Sequence, residues 1–155
     1  MTVAEKLVEL LKAQGLTCAT AESCTGGGVG AAITAVPGSS AIFAGGVISY
    51  ANEVKRDVLG VSDHNLQTVG AVSPEVAAQM ADGVRRLLKT DLAVSLTGIA
   101  GPDGGSAEKP VGLVWFGLST KGGTRTEKVI FSGDRAQVRA QAVIHALGML
   151  TIAAT

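Results

Sequence analysis

The sequence has few aromatic residues, few cysteines and no run of like charge, and each shortage narrows what the chain can be. Aromatics make up 3% of it: one Trp, one Tyr and three Phe. A core must therefore be assembled from Ala, Val, Leu and Gly, which favours compact α/β layering. Cys18 and Cys24 are too few for a disulfide framework, so a reduced, cytoplasmic setting is expected. Thirteen basic residues balance thirteen acidic ones with no Lys/Arg block, so the electrostatic footprint of a nucleic-acid binder is missing. No stretch approaches the length of an apolar membrane span, and Glu5 and Glu9 near the start argue against a signal peptide. His64 and His145 do not fall at metal-ligand spacing, so neither a metal nor a cofactor is expected.

What is present is a chain of 155 residues, 46% hydrophobic and 17% charged, enough for one globular domain over 1–155. Val3, Leu7, Leu10 and Leu11 predict a helix over 3–14, with Gly15 as its stop. Leu16 to Ala21 reads as a buried strand, followed by a helix from about Gly27 to Ala35 that Val36-Pro37-Gly38 ends. Ala44 to Tyr50 is the next strand and Asn52–Leu59 a short helix, after which Asp63 and Asn65 open a turn. Ser73-Pro74-Glu75 combines a Ser N-cap, a Pro at the first helical position and an acidic first turn, and it starts a helix running to Lys89.

Further strands are predicted at Leu92–Leu96, Leu113–Leu118 and Thr126–Phe131, and a last helix at 134–152. Lys121-Gly122-Gly123 reads as a hairpin turn, which makes at least one strand pair antiparallel. The expected fold is a three-layer α/β/α sandwich around a mixed, mostly parallel five-stranded sheet.

Four segments carry candidate chemistry. In Ala21-Glu22-Ser23-Cys24-Thr25-Gly26-Gly27-Gly28 a strand ends in hydroxyl and thiol groups followed by glycines. Such a turn serves a nucleophile, binds an anion on its backbone N–H groups, or simply caps a helix, and the residues alone leave all three open. Gly26-Gly27-Gly28-Val29-Gly30-Ala31 also fits the dinucleotide fingerprint loosely, without a well-placed acidic partner. Cys24 is a rival nucleophile, but no His flanks it in sequence.

Tyr50-Ala51-Asn52-Glu53-Val54-Lys55 follows the next strand. Lys55 there is either an ordinary solvated lysine or a desolvated general base toward a serine, with Tyr50 relaying a proton or orienting the amine. The third segment, Thr97-Gly98-Ile99-Ala100-Gly101-Pro102-Asp103-Gly104-Gly105-Ser106, closes with Lys109-Pro110-Val111-Gly112 and is either a ligand-binding loop or a mobile connection. The fourth, Phe131-Ser132-Gly133-Asp134-Arg135, sets Asp134 as a cap and Arg135 as either a clamp for phosphate or carboxylate or a solvated side chain. Pro37-Gly38-Ser39-Ser40 reads as a turn in which Ser40 can reach a ligand.

Taken in order, these segments, together with Gly70-Ala71-Val72-Ser73, resemble the CinA C-terminal domain family from about residue 3 to residue 150. The resemblance implies hydrolysis of the carboxamide of nicotinamide mononucleotide to nicotinate mononucleotide and ammonia, in pyridine-nucleotide recycling. It implies Ser23 as nucleophile, with Tyr50 and Lys55 completing the catalytic set and Ser40 and Arg135 as further functional residues. Many relatives carry the domain behind a larger one resembling molybdopterin-binding proteins, whose activity is not expected of this sequence.

The expected mechanism has Ser23 attacking the carboxamide while neutral Lys55 takes its proton. Backbone N–H groups from Cys24 through Thr25 to Gly26 hold the oxyanion. Thr97, Gly98, Gly101, Gly104, Gly105 and Arg135 serve the nucleotide and its phosphate. The expected partner is the nucleotide substrate, with no nucleic acid and no membrane, in a homodimer. The rival expectation is a non-catalytic nucleotide-binding module of the competence-damage-inducible type.

Overall fold

The computed structural model describes residues 1–155. The elements run α1 (Val3–Gln14), β1 (Cys18–Glu22), α2 (Gly28–Thr34), a 3₁₀ turn (Ser39–Ala41), β2 (Phe43–Ile48), α3 (Asn52–Asp57), α4 (Asp63–Thr68), α5 (Pro74–Leu88), β3 (Leu92–Gly98), β4 (Leu113–Thr120), β5 (Gly123–Ile130) and α6 (Arg135–Ala153). The five strands form one sheet in the order β2-β1-β3-β4-β5. Helices α1, α2 and α6 pack together on one face and α5 lies on the other, giving the expected three-layer sandwich.

Two expectations need correction. The sheet is not mostly parallel. β1 pairs parallel with β2 and β3, whereas β3–β4 and β4–β5 are both antiparallel, so the two kinds are equal in number. Residues 99–112 form no crossover helix, and β4 returns alongside β3 in the opposite direction. The second correction is at Asp63–Asn65, which open helix α4 and not a turn. Ser62 caps it by accepting from the Asn65 N–H at 3.1 Å.

Other local signals act as their chemistry predicts. The Ser73 hydroxyl accepts from the Val76 N–H at 3.2 Å, with Pro74 first in the helix. Asp134 and Gln137 form a reciprocal capping box at the start of α6.

The apolar residues divide between the two faces. Leu7, Leu11, Val29, Ile33, Phe116 and Leu150 belong to the larger core under α1, α2 and α6, and Val76, Met80 and Val84 of α5 to the smaller one. On the α5 side the helix approaches so closely that Gly83 lies against the Leu59 carbonyl, where an added methyl would overlap backbone. Gly83→Ala gains about 1 kcal/mol of helix propensity but meets a buried chain that cannot withdraw. We expect a net loss of about 1–2 kcal/mol, read as a lowered midpoint in thermal or urea unfolding.

For function, the consequence is the shared edge. β1, β2 and β3 run parallel, so Ser23, the segment 49–52 and Thr97–Gly98 all fall at their C-terminal ends. That edge of an open α/β sheet is where ligands usually bind.

Candidate active site

Ser23 leaves β1 directly, its N–H still donating to the Leu96 carbonyl of β3 at 3.1 Å. The chain then makes two tight turns before α2, which is why Gly26 and Gly27 take positive φ (59° and 103°). Glu22 holds this turn from inside. Its buried carboxyl accepts from the Thr25 hydroxyl (2.6 Å), the Val29 N–H (2.9 Å) and the Gly30 N–H (3.0 Å). The first turn of α2 is thus capped by the protein's own carboxyl, which takes the Val29 and Gly30 N–H groups that a phosphate at the helix start would use. From outside, Arg139 of α6 donates to the Cys24 and Thr25 carbonyls at 3.1 and 3.3 Å.

Lys55 comes from α3, at the end of the neighbouring strand, and its residue is only 1% exposed. Its Nζ lies 2.7 Å from the Ser49 carbonyl, 3.1 Å from the Tyr50 carbonyl and 3.1 Å from Ser23 Oγ. It takes part in none of the chain's ion pairs. Burial without a paired carboxylate holds the amine below its usual 10.5, only partly opposed by the neighbouring Cys24 thiol.

The three contacts serve either form of the amine: an ammonium donates to all three oxygens, and the neutral form, which burial favours, divides them differently. The two carbonyls can only accept, so a neutral amine spends both its protons on them. Its lone pair is then left toward Ser23, whose hydroxyl donates to it. Ser49 makes this possible by tying itself back to β1, its N–H and hydroxyl both donating to the Glu22 carbonyl at 2.7 and 3.2 Å.

The remaining expected residues divide clearly. A cleft of about 210 Å³ is lined by Ser23, Cys24, Tyr50, Lys55, Thr97, Gly98 and Arg135, together with Asn52, Ala71, Val72 and Ala100. Larger grooves lie at the β4–β5 turn and beside Trp115, but neither is lined by a buried ionisable side chain. Thr97 donates from its hydroxyl to the Ala71 carbonyl at 3.0 Å and so fixes one wall. Arg135 donates to the Gly101 carbonyl at 2.8 Å and anchors the long loop at the rim. Gly98 lets β4 approach, since a side chain there would overlap Val114 and the Leu113 carbonyl.

Other expected roles fall to different atoms. The Tyr50 residue is 64% exposed, and its backbone carbonyl, not its phenol, contacts Lys55. The Cys24 side chain packs into the larger core, and burial pushes its thiol up to about 11, so as a rival nucleophile it is inert at neutral pH. The Thr25 hydroxyl turns inward to Glu22. The Gly26 N–H is committed to the Ser23 carbonyl at 3.1 Å, while the Cys24 and Thr25 N–H groups donate to no atom of the chain.

Gly104 and Gly105 do not line the cleft, and Gly105 packs against Val111. Ser40 sits in the 3₁₀ turn before β2, at the opposite end of the sheet from Ser23 and about 15 Å of strand away. Sequence reasoning passed over Glu22, Ser49, Asn52 and Arg139. For Arg139 a signal existed: it lies four residues after Arg135, on the same face of α6. No three His, Cys, Asp or Glu side chains gather closely enough to hold a metal ion, and no helix is long and apolar enough to cross a membrane.

The chain resembles known proteins along nearly its whole length. The family model for the CinA C-terminal domain matches residues 1–153. Over 151 residues the chain is 50% identical to the nicotinamide-nucleotide amidohydrolase PncC of Escherichia coli (strain K12), covering 97% of this chain and 92% of that protein. It is 51% identical over 146 residues to a protein of Caldanaerobacter subterraneus subsp. tengcongensis whose name describes it as competence-damage inducible. There the match takes in 94% of this chain but spans only 35% of the relative's length. The crystal structure of the competence/damage inducible protein CihA from Agrobacterium tumefaciens superposes with a TM-score of 0.95 at 43% identity, covering 98% of this chain and 93% of that one. The chain belongs to the CinA C-terminal domain family.

Proposed function

We propose that the chain hydrolyses the carboxamide of nicotinamide mononucleotide, giving nicotinate mononucleotide and ammonia by way of an acyl-enzyme on Ser23. The observation that carries this reading is the buried Lys55 amine, bound to two carbonyls with its third position on Ser23 Oγ. A serine hydroxyl is a weak nucleophile until a base takes its proton, and an amine whose charged form is disfavoured by burial is suited to be that base. As Oγ adds to the carboxamide carbon, its proton passes to Lys55 Nζ. The Cys24 N–H, which has no partner in the chain and belongs to a residue lining the cleft, stabilises the developing oxyanion. Collapse breaks the C–N bond, and the departing nitrogen carries off the proton from Lys55 as ammonia. Water, deprotonated in turn by Lys55, then cleaves the ester, leaving the carboxylate and restoring the Ser23 hydroxyl.

The name of the Escherichia coli relative supports the choice of substrate. Arg135 is the rim cation that suits the nucleotide's phosphate. The rival reading, a binding module that holds phosphate at the start of α2, loses the Val29 and Gly30 N–H donors to Glu22.

The test is to incubate the protein with nicotinamide mononucleotide and measure both products. Ammonia and nicotinate mononucleotide are expected in equal amounts. Saturable binding with no ammonia released would overturn the assignment.

A further inference from the structure

Arg139 is exposed on α6, outside the cleft, yet its guanidinium lies on the nucleophile turn, within 3.5 Å of where a Gly26 side chain would start. In a planar trans peptide the C=O and the following N–H point in opposite directions, so whatever holds one aims the other. Two such units connect Arg139 to the oxyanion side of Ser23. The guanidinium donates to the Thr25 carbonyl at 3.3 Å. The N–H of that same peptide, on Gly26, donates to the Ser23 carbonyl at 3.1 Å. The N–H of the next peptide, on Cys24, has no partner in the chain and belongs to the residue after the nucleophile. Arg139 also donates to the Cys24 carbonyl at 3.1 Å, which directs the second unpaired N–H, that of Thr25, away from itself.

We infer that Arg139 is a positioning residue for the oxyanion site, acting through the Thr25–Gly26 and Ser23–Cys24 peptide units. A fixed cation at one end of a hydrogen-bonded chain polarises every link in the same sense, so the terminal Cys24 N–H becomes a stronger donor. The effect grows as negative charge develops on the reacting oxygen, and it therefore belongs to the transition state more than to the bound substrate. The inference rests on the proposed acyl transfer at Ser23 and adds to it a residue that touches neither substrate nor nucleophile.

Two measurements test it. In steady-state hydrolysis of nicotinamide mononucleotide, Arg139→Met is expected to lower kcat about tenfold to a hundredfold with KM within about twofold, and Arg139→Lys, which keeps the cation but loses the fork, to fall between it and the unaltered chain. By NMR hydrogen exchange, the Gly26 amide is expected to exchange about tenfold faster in Arg139→Met, because its bond to the Ser23 carbonyl is no longer braced. A kcat within twofold of the unaltered chain, or a loss that lies in KM alone, overturns the inference. If the unaltered protein does not turn over this substrate, the functional proposal fails separately, and unchanged Gly26 exchange then overturns the role of Arg139.

Discussion

Replacing Lys55 by methionine is expected to lower carboxamide hydrolysis by about a thousandfold, the scale of a lost general base that also serves as general acid. Methionine keeps an unbranched stem in a position that is 1% exposed, with sulfur in place of the δ-methylene and no nitrogen at its end. Stability should change in a pH-dependent manner. Burial holds the folded-state pKa of Lys55 below the ordinary 10.5 of the unfolded chain. Between those two values the unfolded state binds more protons, so stability rises with pH across that window. Below the folded pKa the lysine is charged in both states, and the native protein bears the whole cost of burying that charge. Urea unfolding at a series of pH values should therefore show the unaltered protein gaining on Lys55→Met as pH rises toward 10.5, with the variant lacking this contribution to the slope. In the unaltered enzyme the rate should rise with pH as the amine loses its proton. Equal pH slopes, or substantial activity in Lys55→Met, would show that Lys55 does not act as the base.

Ser23→Ala is the second change of this size, with turnover expected to fall by at least about a thousandfold. The substitution removes a single oxygen whose side-chain contact is the Lys55 amine, and it leaves the backbone bond from Ser23 N–H to Leu96 in place. Folding should change by only about 1 kcal/mol, the scale of one lost hydrogen bond. Binding of the nucleotide, measured by calorimetry on the inactive variant, should persist, because the phosphate and the remaining walls of the cleft are untouched. Mass spectrometry of the unaltered protein quenched during turnover should show a nicotinate-nucleotide ester on Ser23, and none in the variant. Retained turnover would move the nucleophile elsewhere, and Cys24 is a poor candidate because its thiol is buried in the core.

Much of this architecture is legible before folding is considered, where the signal is local. The Ser73-Pro74 helix start, the Asp134 cap, the α1 apolar stripe and the hairpin at Lys121–Gly123 each depend on residues a few positions apart. Helix α4 was missed because it has no buried residue and hence no apolar period. Its only sign is the Ser62 cap, and Asp63 and Asn65 suit a turn equally well. The expected excess of parallel pairing fails because a loop of 14 residues, 99–112, can precede either a parallel or an antiparallel neighbour. Backbone hydrogen bonding between strands decides that, and nothing in one segment encodes it.

The site shows the same division. Chain order alone carries the family pattern, the hydroxyl-glycine turn at Ser23 and a lysine just past the neighbouring strand. Burial of this lysine arises only on folding, because it depends on what the other strands and loops set around it. Parallel pairing of β1 with β2 brings Ser49, Tyr50 and Lys55 to the same edge as Ser23, and the same pairing carries Ser40 to the far end. Tertiary structure also exchanged roles within the motif. The Tyr50 carbonyl holds the Lys55 amine, and Glu22 fills the helix N-terminus that a phosphate would have used. A side chain's chemistry can be read from its type. Its protonation state and its partners depend on desolvation and on donors contributed by distant parts of the chain.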